Sequence, residues 1–535
     1  MERNKLFELS LFIFRRDLRI IDNTGLILAS KQSKNILPAF FLDNRQVDKT
    51  KNPYFSSNCI QFMCESLSDL NNHLKEYNSR LFIFHGDMMQ NLETLIKTVK
   101  INSVYVNQDY TPFSLKRDEE IKKLCNEYKI TFNSSEDLLL TDVISTPLKE
   151  GKLSQVFTPY YKAASQIPVR NVNGFIPDNF LNDTKTINSI KHIVDYENEA
   201  DLLELLKIQK NENVEIHGGR KYVKEKLKNL KNFAKYEQTR NIPILSTSRL
   251  SAYLKFGVSS IREVYHELKN SFGSDHGLIK QLYWRDFYTK ISYFYPHVIG
   301  HSMRENFENI KWMADDNQIE AWKNGKTGCP IVDAGMRCLN KTGYVSNRLR
   351  MITGSYLLKD LIGDWKIGEK YFANMLIDYD ASLNNAGWQW LAGTGTDAQP
   401  DLRIFNPALQ SEKFDKNCEF IKKWLPELNN VPNDHVHSWE KTYKNYKGKV
   451  DYPDPIVFHH IQKEKVLKLY ALYGGEIPVQ NEETFKDYKK NSSKKSNSNN
   501  HTINSLIYGG KKAFSDIEDD PIFSEKFNWV QKKNK

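Results

Sequence analysis

Short apolar runs alternate with helical patterns over the first 137 residues, and this alternation limits the fold more than any other feature of the sequence. The apolar runs are rich in β-branched and aromatic residues and lie at 9–15, 36–43, 80–86 and 103–109. Amphipathic patterns, such as those at 59–77 and 114–128, follow the second and the fourth run. Strands separated by helices predict right-handed βαβ units and a parallel sheet with both faces covered. We therefore expect an α/β domain with a Rossmann-like parallel sheet over residues 1–137.

The rest of the chain divides into a weakly patterned connection, a helical domain and a polar tail. Between 138 and 212, prolines and polar residues break the periodicity, which predicts a long interdomain connection over the protein surface. From 213 to 473 the apolar spacing is helical almost throughout, so we expect an all-α domain. Residues 474–535 are rich in Lys, Ser and Asn, a composition typical of disorder. An inert extension and a nuclear or DNA-tethering segment are the two interpretations of this tail.

The charge of the chain favours a polyanionic partner such as nucleic acid. The formal net charge is +10 and the isoelectric point is near 8.9.

The six cysteines show no CxxC or zinc spacing, so we expect neither a metal site nor a disulfide framework. No apolar run approaches a membrane span and the N-terminus lacks a signal-peptide pattern. We therefore expect an intracellular protein, in the cytoplasm or, in a eukaryote, the nucleus.

A run of small hydroxyl residues around an arginine precedes an apolar helix. Residues 245–254 read LSTSRLSAYL. Hydroxyl groups, helix N-terminal amides and a guanidinium all favour an anion, so this run is a candidate phosphate site. Ser and Thr are also the ordinary N-caps of helices. On these residues alone, both interpretations stay open.

The segment 341–407 concentrates carboxylates, amides, arginines and tryptophans. Its most distinctive members are Arg348, Arg350, Asp378, Asp380, Asn384, Trp388 and Trp390. Residues four apart, such as Asn384 and Trp388, share one face of a helix. This mixture is too polar and too aromatic for an ordinary core. It predicts a site for a planar, charged ligand.

These motifs resemble those of the photolyase/cryptochrome flavoprotein family, and most of all its class I cyclobutane pyrimidine dimer photolyases. The residues that carry the resemblance are FRRDLRIIDN, YEQTRNIP, STSRLSAYLKFG, YWRDFY, GCPIVDAGMR, GYVSNRLRM, LIDYDASLNNAGWQW and TGTDAQPDLRIFNP. The resemblance covers about residues 5–473 and implies an antenna domain followed by a helical domain that binds FAD. It further implies a monomeric enzyme, a carbon–carbon lyase, that repairs UV-damaged DNA with an electron from photoexcited reduced FAD.

The resemblance also assigns FAD contacts by position. It places Tyr236, Thr247, Ser248, Arg249, Leu250 and Ser251 at the pyrophosphate. It places Arg285, Asn347, Arg350, Asp378, Asp380 and Asn384 around the isoalloxazine and ribityl groups. Asn347 is expected to face the reactive central-ring nitrogen, where an amide can form a hydrogen bond without delivering a proton as a carboxylic acid could. Arg350 and Asp378 are expected to form a buried charge pair, because an unpaired buried charge is costly.

Other matched positions imply contacts with DNA and a path for electrons. Trp284 and Trp390 match the walls that enclose the flipped dimer, and Met351 matches a lesion contact; stacking on such walls contributes about 1–3 kcal/mol per base. The positions that match phosphate contacts, which orient a strand without reading its sequence, are Arg240, Arg348 and Arg403. The positions that match the electron relay of the family are Trp388, Trp365 and Trp312.

One position departs from the class I pattern. Gln281 stands where the dimer photolyases carry glutamate, whereas (6-4) photolyases and animal cryptochromes carry glutamine there. Glutamine can form a hydrogen bond with a thymine carbonyl but cannot share a proton with a dimer radical anion. Repair by (6-4) photolyases uses a histidine pair, and no histidine occurs between His301 and His435. We therefore expect cyclobutane dimer repair, at reduced efficiency, with a cryptochrome-type photoreceptor and a (6-4) photolyase as alternatives.

The resemblance also implies an antenna cleft in the first domain. The loops at 15–22 and 107–112 follow predicted strands, and ligands of open α/β sheets lie at the carboxyl ends of the strands. We expect these loops to line the cleft, and a salt-bridged solvent loop stays open as the alternative. The sequence leaves four alternatives open for this cleft: a folate, a deazaflavin, a second flavin or no chromophore.

Overall fold

The computed structural model describes residues 5–146, 148–149, 151–397 and 404–473. Arg403 and the whole tail at 474–535 lie outside the described residues. Within these ranges no helix is both long and apolar enough to cross a membrane. The same residues contain no group of three or more His, Cys, Asp or Glu side chains that could hold a metal ion.

The first domain is built on a five-stranded parallel sheet. Its strands are β1 (Phe7–Phe14), β2 (Ser33–Asp43), β3 (Phe82–Gly86), β4 (Ser103–Asn107) and β5 (Thr131–Ser135). Their order in the sheet is β3-β2-β1-β4-β5, and every neighbouring pair is parallel. The predicted α/β domain is confirmed. Strand β5 was not predicted because its sequence, TFNSS, is polar, and it lies partly exposed at the edge of the sheet.

Helices cover the sheet where the sequence pattern predicts them. In chain order they are α1 (Thr24–Gln32), α2 (Asn44–Val47), α3 (Ser57–Lys75), α4 (Met88–Thr98) and α5 (Pro112–Glu127). The predicted patterns at 59–77 and 114–128 correspond to α3 and α5. Each begins at a side-chain cap: Ser56 accepts from the backbone of Cys59, and Thr111 accepts from that of Ser114. These caps satisfy amide groups that a helix leaves without partners.

The connection at 138–212 contains a small hairpin and short helices. These elements are β6 (Leu148–Lys149), β7 (Lys152–Leu153), α6 (Phe157–Ala164), α7 (Thr184–Ser189) and α8 (Glu199–Leu205). Its backbone bridges to two strands of the sheet, pairing Ile36 with Phe180 and Phe84 with Ile193. The side chains of Phe157 and Tyr160 are buried. The connection therefore contributes to the core through these side chains, whereas others, such as Phe175 and Ile176, lie exposed at the surface.

The second domain is helical, and its described residues contain no strand. Its helices are α9 (Arg220–Lys228), α10 (Tyr236–Thr239), α11 (Ser251–Lys255), α12 (Ile261–Phe272), α13 (Gly277–Phe294), α14 (Asp316–Lys323), α15 (Pro330–Thr342), α16 (Asn347–Ser355), α17 (Trp365–Met375), α18 (Ala381–Ala392), α19 (Pro407–Phe414), α20 (Glu419–Trp424), α21 (Asn433–His437), α22 (Trp439–Thr442) and α23 (His459–Tyr473). A π-helical turn at Tyr356–Asp360 follows α16. Short 3₁₀ turns lie at Leu230–Phe233, Pro296–Val298, Glu305–Phe307, Pro426–Leu428 and Tyr443–Tyr446. The predicted all-α domain is confirmed.

The two domains share one hydrophobic core. Phe62 of α3 stacks on Phe256 with ring centroids 5.2 Å apart, and the backbone of Leu18 donates to the carbonyl of Phe256 at 3.0 Å. Gly257 has a φ of +61°, and a Cβ at this position would meet the backbone of Arg16. Glycine is therefore required at this close approach. The loop after β1, which carries Arg16, is thus held firmly against the helical domain.

Candidate functional site

Three of the predicted motifs meet at the carboxylate of Asp378. Arg350 on α16 donates through Nη2 to both oxygens of Asp378, at 3.0 and 2.9 Å. Ser251, the first residue of α11, donates through Oγ to Oδ2 of Asp378 at 2.6 Å. The side chain of Asp378 is 4% exposed and that of Arg350 is 27% exposed. The expected charge pair is therefore present, with a buried carboxylate and a guanidinium that stays partly open to solvent.

The carboxylate of Asp380 is held by the first domain. As the N-cap of α18, Asp380 accepts from the backbone of Ser382 and Leu383 at 3.1 and 3.2 Å. Arg16 forms an ion pair with Asp380 and a second one, at 3.1 Å, with Asp109. Burial raises the pKa of Asp380, but the charges of Arg16 and Arg285 outweigh this effect and hold the pKa below its usual range. Asp380 is therefore ionised, and its ion pair with Arg16 joins the start of α18 to the loop that follows β1.

Arg285 on α13 is buried beside this cluster. It donates to the backbone carbonyls of Leu138 and Leu254 at 2.7 and 3.2 Å. Burial and the nearby charge of Arg16 lower the pKa of its guanidinium. These carbonyl contacts fix Arg285 between the interdomain connection and α11, and its charge helps to keep Asp380 ionised.

The hydroxyl-rich run before α11 is a loop rather than a set of helix caps. Leu250 occupies the N-cap position and makes no side-chain cap hydrogen bond. Arg249 has a φ of +51°, forms an ion pair with Glu215 and lies over the ring of Tyr344 at 5.4 Å. The N-cap interpretation of this run is therefore wrong: Ser246, Thr247 and Ser248 precede the cap residue, Ser251 follows it, and the cap residue makes no side-chain hydrogen bond.

A cavity beside this loop contains hydrogen-bond donors without partners. Thr247, Arg249, Ser346 and Trp424 are among its lining residues. Arg249 Nε, Ser346 Oγ and Trp424 Nε1 are buried, and within the described part of the chain none has a hydrogen-bond partner. Buried polar groups normally have partners, and unmet donors are costly. The cavity therefore suits an anionic group with several acceptor oxygens, such as a diphosphate.

Two predicted phosphate contacts lie along one edge of the helical domain. Arg240, at the end of α10, forms an ion pair with Glu237 at 3.0 Å and lies 5.8 Å from the ring centroid of Tyr236. Arg348 donates to Oδ1 of Asn241 through Nε and Nη2, at 3.2 and 3.0 Å. The structure therefore brings Arg240 and Arg348 together around residues 236–241.

The predicted lesion contacts and Asn347, which was predicted to face the flavin, lie on three helices and are partly or fully exposed. Gln281 and Trp284 share one face of α13, three residues apart. Asn347 is exposed at the start of α16, and its Nδ2 approaches the sulfur of Met351 at 3.6 Å. Trp390 lies on α18 and donates its indole N–H to a backbone carbonyl of the following loop at 2.9 Å. These side chains are thus available to a ligand from outside.

The predicted relay tryptophans belong to the core of the helical domain. Trp388 and Trp365 are 3% and 1% exposed, and Trp312 is partly buried against the same cluster. The ring of Trp388 contacts Phe372 at 5.1 Å and Trp322 at 6.1 Å. Trp322 was not predicted, since no motif of the resemblance contains it. Its contact with Trp388 arises from the packing of α14 near α18.

Comparison with known proteins identifies the family to which this chain belongs. The chain matches a family model described as DNA photolyase over residues 10–173 and one described as FAD binding domain of DNA photolyase over residues 278–472. It is 36% identical over 476 residues to the deoxyribodipyrimidine photo-lyase of Alkalihalophilus pseudofirmus, covering 85% of this chain and 96% of the relative. The chain belongs to the DNA photolyase family. The predictions of the family and of an enzyme are confirmed.

Solved structures of the photolyase family share the fold. An archaeal photolyase from Sulfolobus tokodaii, with two FAD molecules, superposes with a TM-score of 0.76 and 38% identity over 86% of this chain and 99% of its own. A cryptochrome of Synechocystis sp. PCC6803 superposes with a TM-score of 0.77 and 27% identity over 87% of this chain and 100% of its own. The predicted two-domain photolyase fold is confirmed.

The residues of this photolyase-family chain fit an FAD molecule. The helical domain is an FAD-binding domain by its family model. The cavity with unpaired donors at Arg249 and Ser346 can accept the diphosphate, and the charged cluster at Arg350 and Asp378 can hold the polar edge of a flavin. Asn384 donates Nδ2 to the carbonyl of Glu369 at 2.9 Å, so its amide is held in one orientation.

Glu369, a neighbour of Asn384, is expected to make the stability of the protein depend on pH because its carboxyl is buried. Burial raises the pKa of Glu369 from 4.5 to about 7, and hydrogen bonds with Asn384 and Tyr54 oppose the shift only in part. In the unfolded chain the carboxyl ionises first, so the free energy of unfolding falls as the pH rises from the unfolded to the folded pKa. The fall amounts to about 3 kcal/mol. Glu369→Gln removes this part of the pH dependence.

The measurement is urea unfolding of the wild-type protein and of the two variants at pH 5 and pH 8. The wild-type protein is expected to have a higher free energy of unfolding at pH 5 than at pH 8 because of Glu369. This difference should shrink in the Glu369→Gln variant. It should persist in Glu412→Gln, which changes an exposed residue of α19. An unchanged pH dependence in Glu369→Gln would show that this carboxyl is ionised in the folded state.

Proposed function

We propose that the chain repairs cyclobutane pyrimidine dimers in DNA, as a monomer, in a reaction driven by light. When bound, reduced FAD would supply the photoexcited electron donor that splits the cyclobutane ring. The observation that carries the choice of lesion is the exposed start of α16, where Asn347 contacts Met351 and no histidine lies nearby in sequence. The relatives named deoxyribodipyrimidine photo-lyase support the same choice.

The exposed residues of the site have separate tasks in this proposal. Trp284 and Trp390 offer aromatic planes on which an extruded dimer can stack. Extrusion is easier for a damaged base pair, which gives the site part of its selectivity. Arg240 and Arg348 contact phosphates and so position the strand without reading its sequence.

The buried and partly buried residues of the site would hold the cofactor in this proposal. Thr247, Ser248 and Arg249 would bind the diphosphate, with Leu250 and Tyr236 beside it. Arg350, Asp378 and Asn384 surround the flavin ring and ribityl chain, while Asp380 and Arg285 act through the ion pair with Arg16. Because each of these charged side chains is held in place by its own contacts, the side chains would move little when the flavin changes its redox state.

A second chromophore would lie at the loops that follow β1 and β4. In this structure Arg15 pairs with Asp118 and donates to the carbonyl of Asn107, while Arg16 joins Asp109 to Asp380. The photolyase from Sulfolobus tokodaii contains two FAD molecules, so a flavin is the first candidate. Chromophores extracted from the purified protein and identified by their absorption spectra distinguish a flavin from a folate or a deazaflavin.

Two lesions compared in parallel test the proposed specificity. The reduced protein is illuminated with one oligonucleotide that carries a cyclobutane thymine dimer and another that carries a (6-4) photoproduct. We expect restoration of intact thymines from the first substrate alone. Restoration of the (6-4) substrate alone would overturn the choice of lesion and make Gln281 the decisive residue.

Gln281→Glu is expected to raise the yield of dimer repair. A carboxylic acid can share a proton with the dimer radical anion, and hydrogen bonds to charged groups are stronger than neutral ones by about 1 kcal/mol. This difference corresponds to a rise of about two- to fivefold. The measurement is the number of dimers split per absorbed photon, with Gln90→Glu on the exposed surface of α4 as the matched control. A lower yield would indicate a pocket adapted to glutamine.

A photoreceptor of the cryptochrome type is the second candidate. The observation in its favour is the fold shared with the cryptochrome of Synechocystis sp. PCC6803, together with glutamine at position 281. A photoreceptor would show light-dependent reduction of its flavin but no repair of either lesion.

A further inference from the structure

A continuous set of contacts joins the two tryptophans of the lesion pocket. Trp390 donates its indole Nε1–H to the backbone carbonyl of Asp397 at 2.9 Å. Oδ1 of Asp397 accepts the backbone N–H of Phe157 at 2.8 Å. The ring of Phe157 lies flat on Trp284, with ring centroids 3.5 Å apart and planes inclined by 7°. Asp397 therefore links α18, which carries one wall, to the support of the other wall on α13.

Phe157 stacks on one face of Trp284, and the indole stays partly exposed. Phe157 is 2% exposed, whereas Trp284 is partly exposed. Tyr288 and Phe287 contact the ring of Trp284 at 5.3 and 5.9 Å. Because Phe157 lies flat on Trp284, the position of Phe157 helps to set how far Trp284 stands from Trp390.

Asp397 caps α6, a helix that lacks a cap of its own. Phe157 is the first residue of α6, and the N-cap residue Val156 makes no side-chain hydrogen bond. A carboxylate at a helix N-terminus satisfies an unpaired amide and interacts favourably with the helix dipole. The backbone N–H of Asp397 also donates to the carbonyl of Gln155 at 2.9 Å. Asp397 thus binds the start of α6 through both its side chain and its backbone.

The backbone of Asp397 adopts a conformation that few residues tolerate. Its φ is +50°, in the left-handed region where Asp, Asn and Gly are favoured among the amino acids. In this conformation its carbonyl faces Trp390 while its carboxylate faces Phe157. An aspartate tolerates this backbone conformation, and its carboxylate reaches the backbone N–H of Phe157.

We propose that Asp397 is a positioning residue for lesion recognition, which fixes the spacing between Trp284 and Trp390. This inference rests on the proposed function, because it takes these two tryptophans as the walls around an extruded dimer. Asp397 touches neither the lesion nor the cofactor in this account. Its loss lowers the preference for damaged DNA and leaves the phosphate contacts of Arg240 and Arg348 unchanged.

Two variants of Asp397 separate its side chain from its backbone. Asp397→Gly keeps the backbone conformation and both backbone hydrogen bonds but removes the acceptor for Phe157. We expect it to bind dimer-containing DNA about five- to tenfold more weakly, the size of effect typical of a lost helix cap. Asp397→Asn keeps an oxygen acceptor and tolerates the same φ, so we expect it to restore most of the affinity.

The measurement is the Kd of the full chain with bound FAD for two otherwise identical oligonucleotides, with and without a thymine dimer, determined in the dark by fluorescence anisotropy. We expect Asp397→Gly to lower the ratio of the two affinities, with unchanged FAD content and an unchanged Kd for intact DNA. An unchanged ratio, or an equal loss for both oligonucleotides, overturns the inference. A wild-type protein that does not prefer the dimer overturns the proposed function, and the inference with it.

A double-variant cycle keeps the inference falsifiable if Asp397→Gly does not fold. Trp390→Phe removes the indole N–H that binds the Asp397 carbonyl and retains an aromatic plane. Phe157→Leu removes the ring that supports Trp284 and retains an apolar side chain. Because one set of contacts joins these residues, their effects on dimer binding are expected to be non-additive. Additive effects would show that the two walls are positioned independently.

Discussion

Trp388→Phe is expected to slow photoreduction of oxidised FAD by on the order of a hundredfold, which corresponds to an increase of ~2.7 kcal/mol in the barrier. Trp388 lies on α18, one turn after Asn384, and is 3% exposed. Phenylalanine preserves an aromatic ring there but is much harder to oxidise than tryptophan. The chemically reduced protein should still repair dimers, because repair needs no electron from this residue.

Transient absorption of the illuminated protein measures the photoreduction, and Trp322→Phe is the matched control. Trp322 is buried and its ring lies 6.1 Å from that of Trp388, so its replacement makes a comparable change in the same core. A rate that is unchanged in Trp388→Phe would reject the relay. A rate that falls equally in Trp322→Phe would place a second path for electrons through α14.

Arg350→Met is expected to weaken FAD binding by about a hundredfold. The change leaves the buried carboxylate of Asp378 with Ser251 as its remaining side-chain donor. Removal of one partner of a buried ion pair costs about 3–5 kcal/mol, and the partial exposure of Arg350 reduces this to about 2–4 kcal/mol. Adding Asp378→Asn removes the stranded charge, so the double variant should bind FAD more tightly than Arg350→Met alone.

Flavin content after dialysis and fluorescence titration with FAD provide the measurement. Arg337→Met is the matched control, because Arg337 forms an ion pair with Glu427 at 2.7 Å and has the same side-chain exposure of 27%. We expect this control to retain its flavin. Full FAD affinity in Arg350→Met would contradict the role of the Arg350–Asp378 pair in binding.

The periodicity of the sequence predicts the two domains but not how they meet. Apolar spacing indicates the first four strands and the long helices, because their buried faces are continuous. It does not indicate β5, whose residues are polar, or the burial of Phe157 in the connection. The ion pair between Arg16 and Asp380 joins residues 364 positions apart, and no local pattern carries that information.

The candidate site is predictable where single motifs carry its chemistry. Arg350, Asp378 and Ser251 were expected from three motifs, and the structure brings them together. Trp322 lies outside the family motifs, and Asp397 lies within one of them, but neither was assigned a role because their contacts arise from packing. A stacking partner or a helix cap supplied by a distant segment depends on the tertiary fold, so family motifs alone do not reveal it.

The most direct test of the account is repair by the reduced protein of an oligonucleotide that contains one thymine dimer. Identical samples are kept in blue light and in darkness, and the intact and damaged strands are separated by chromatography. We expect intact thymines in the illuminated sample and none in the dark sample. An unchanged dimer after illumination, with FAD bound and reduced, would contradict light-driven dimer repair and favour a photoreceptor.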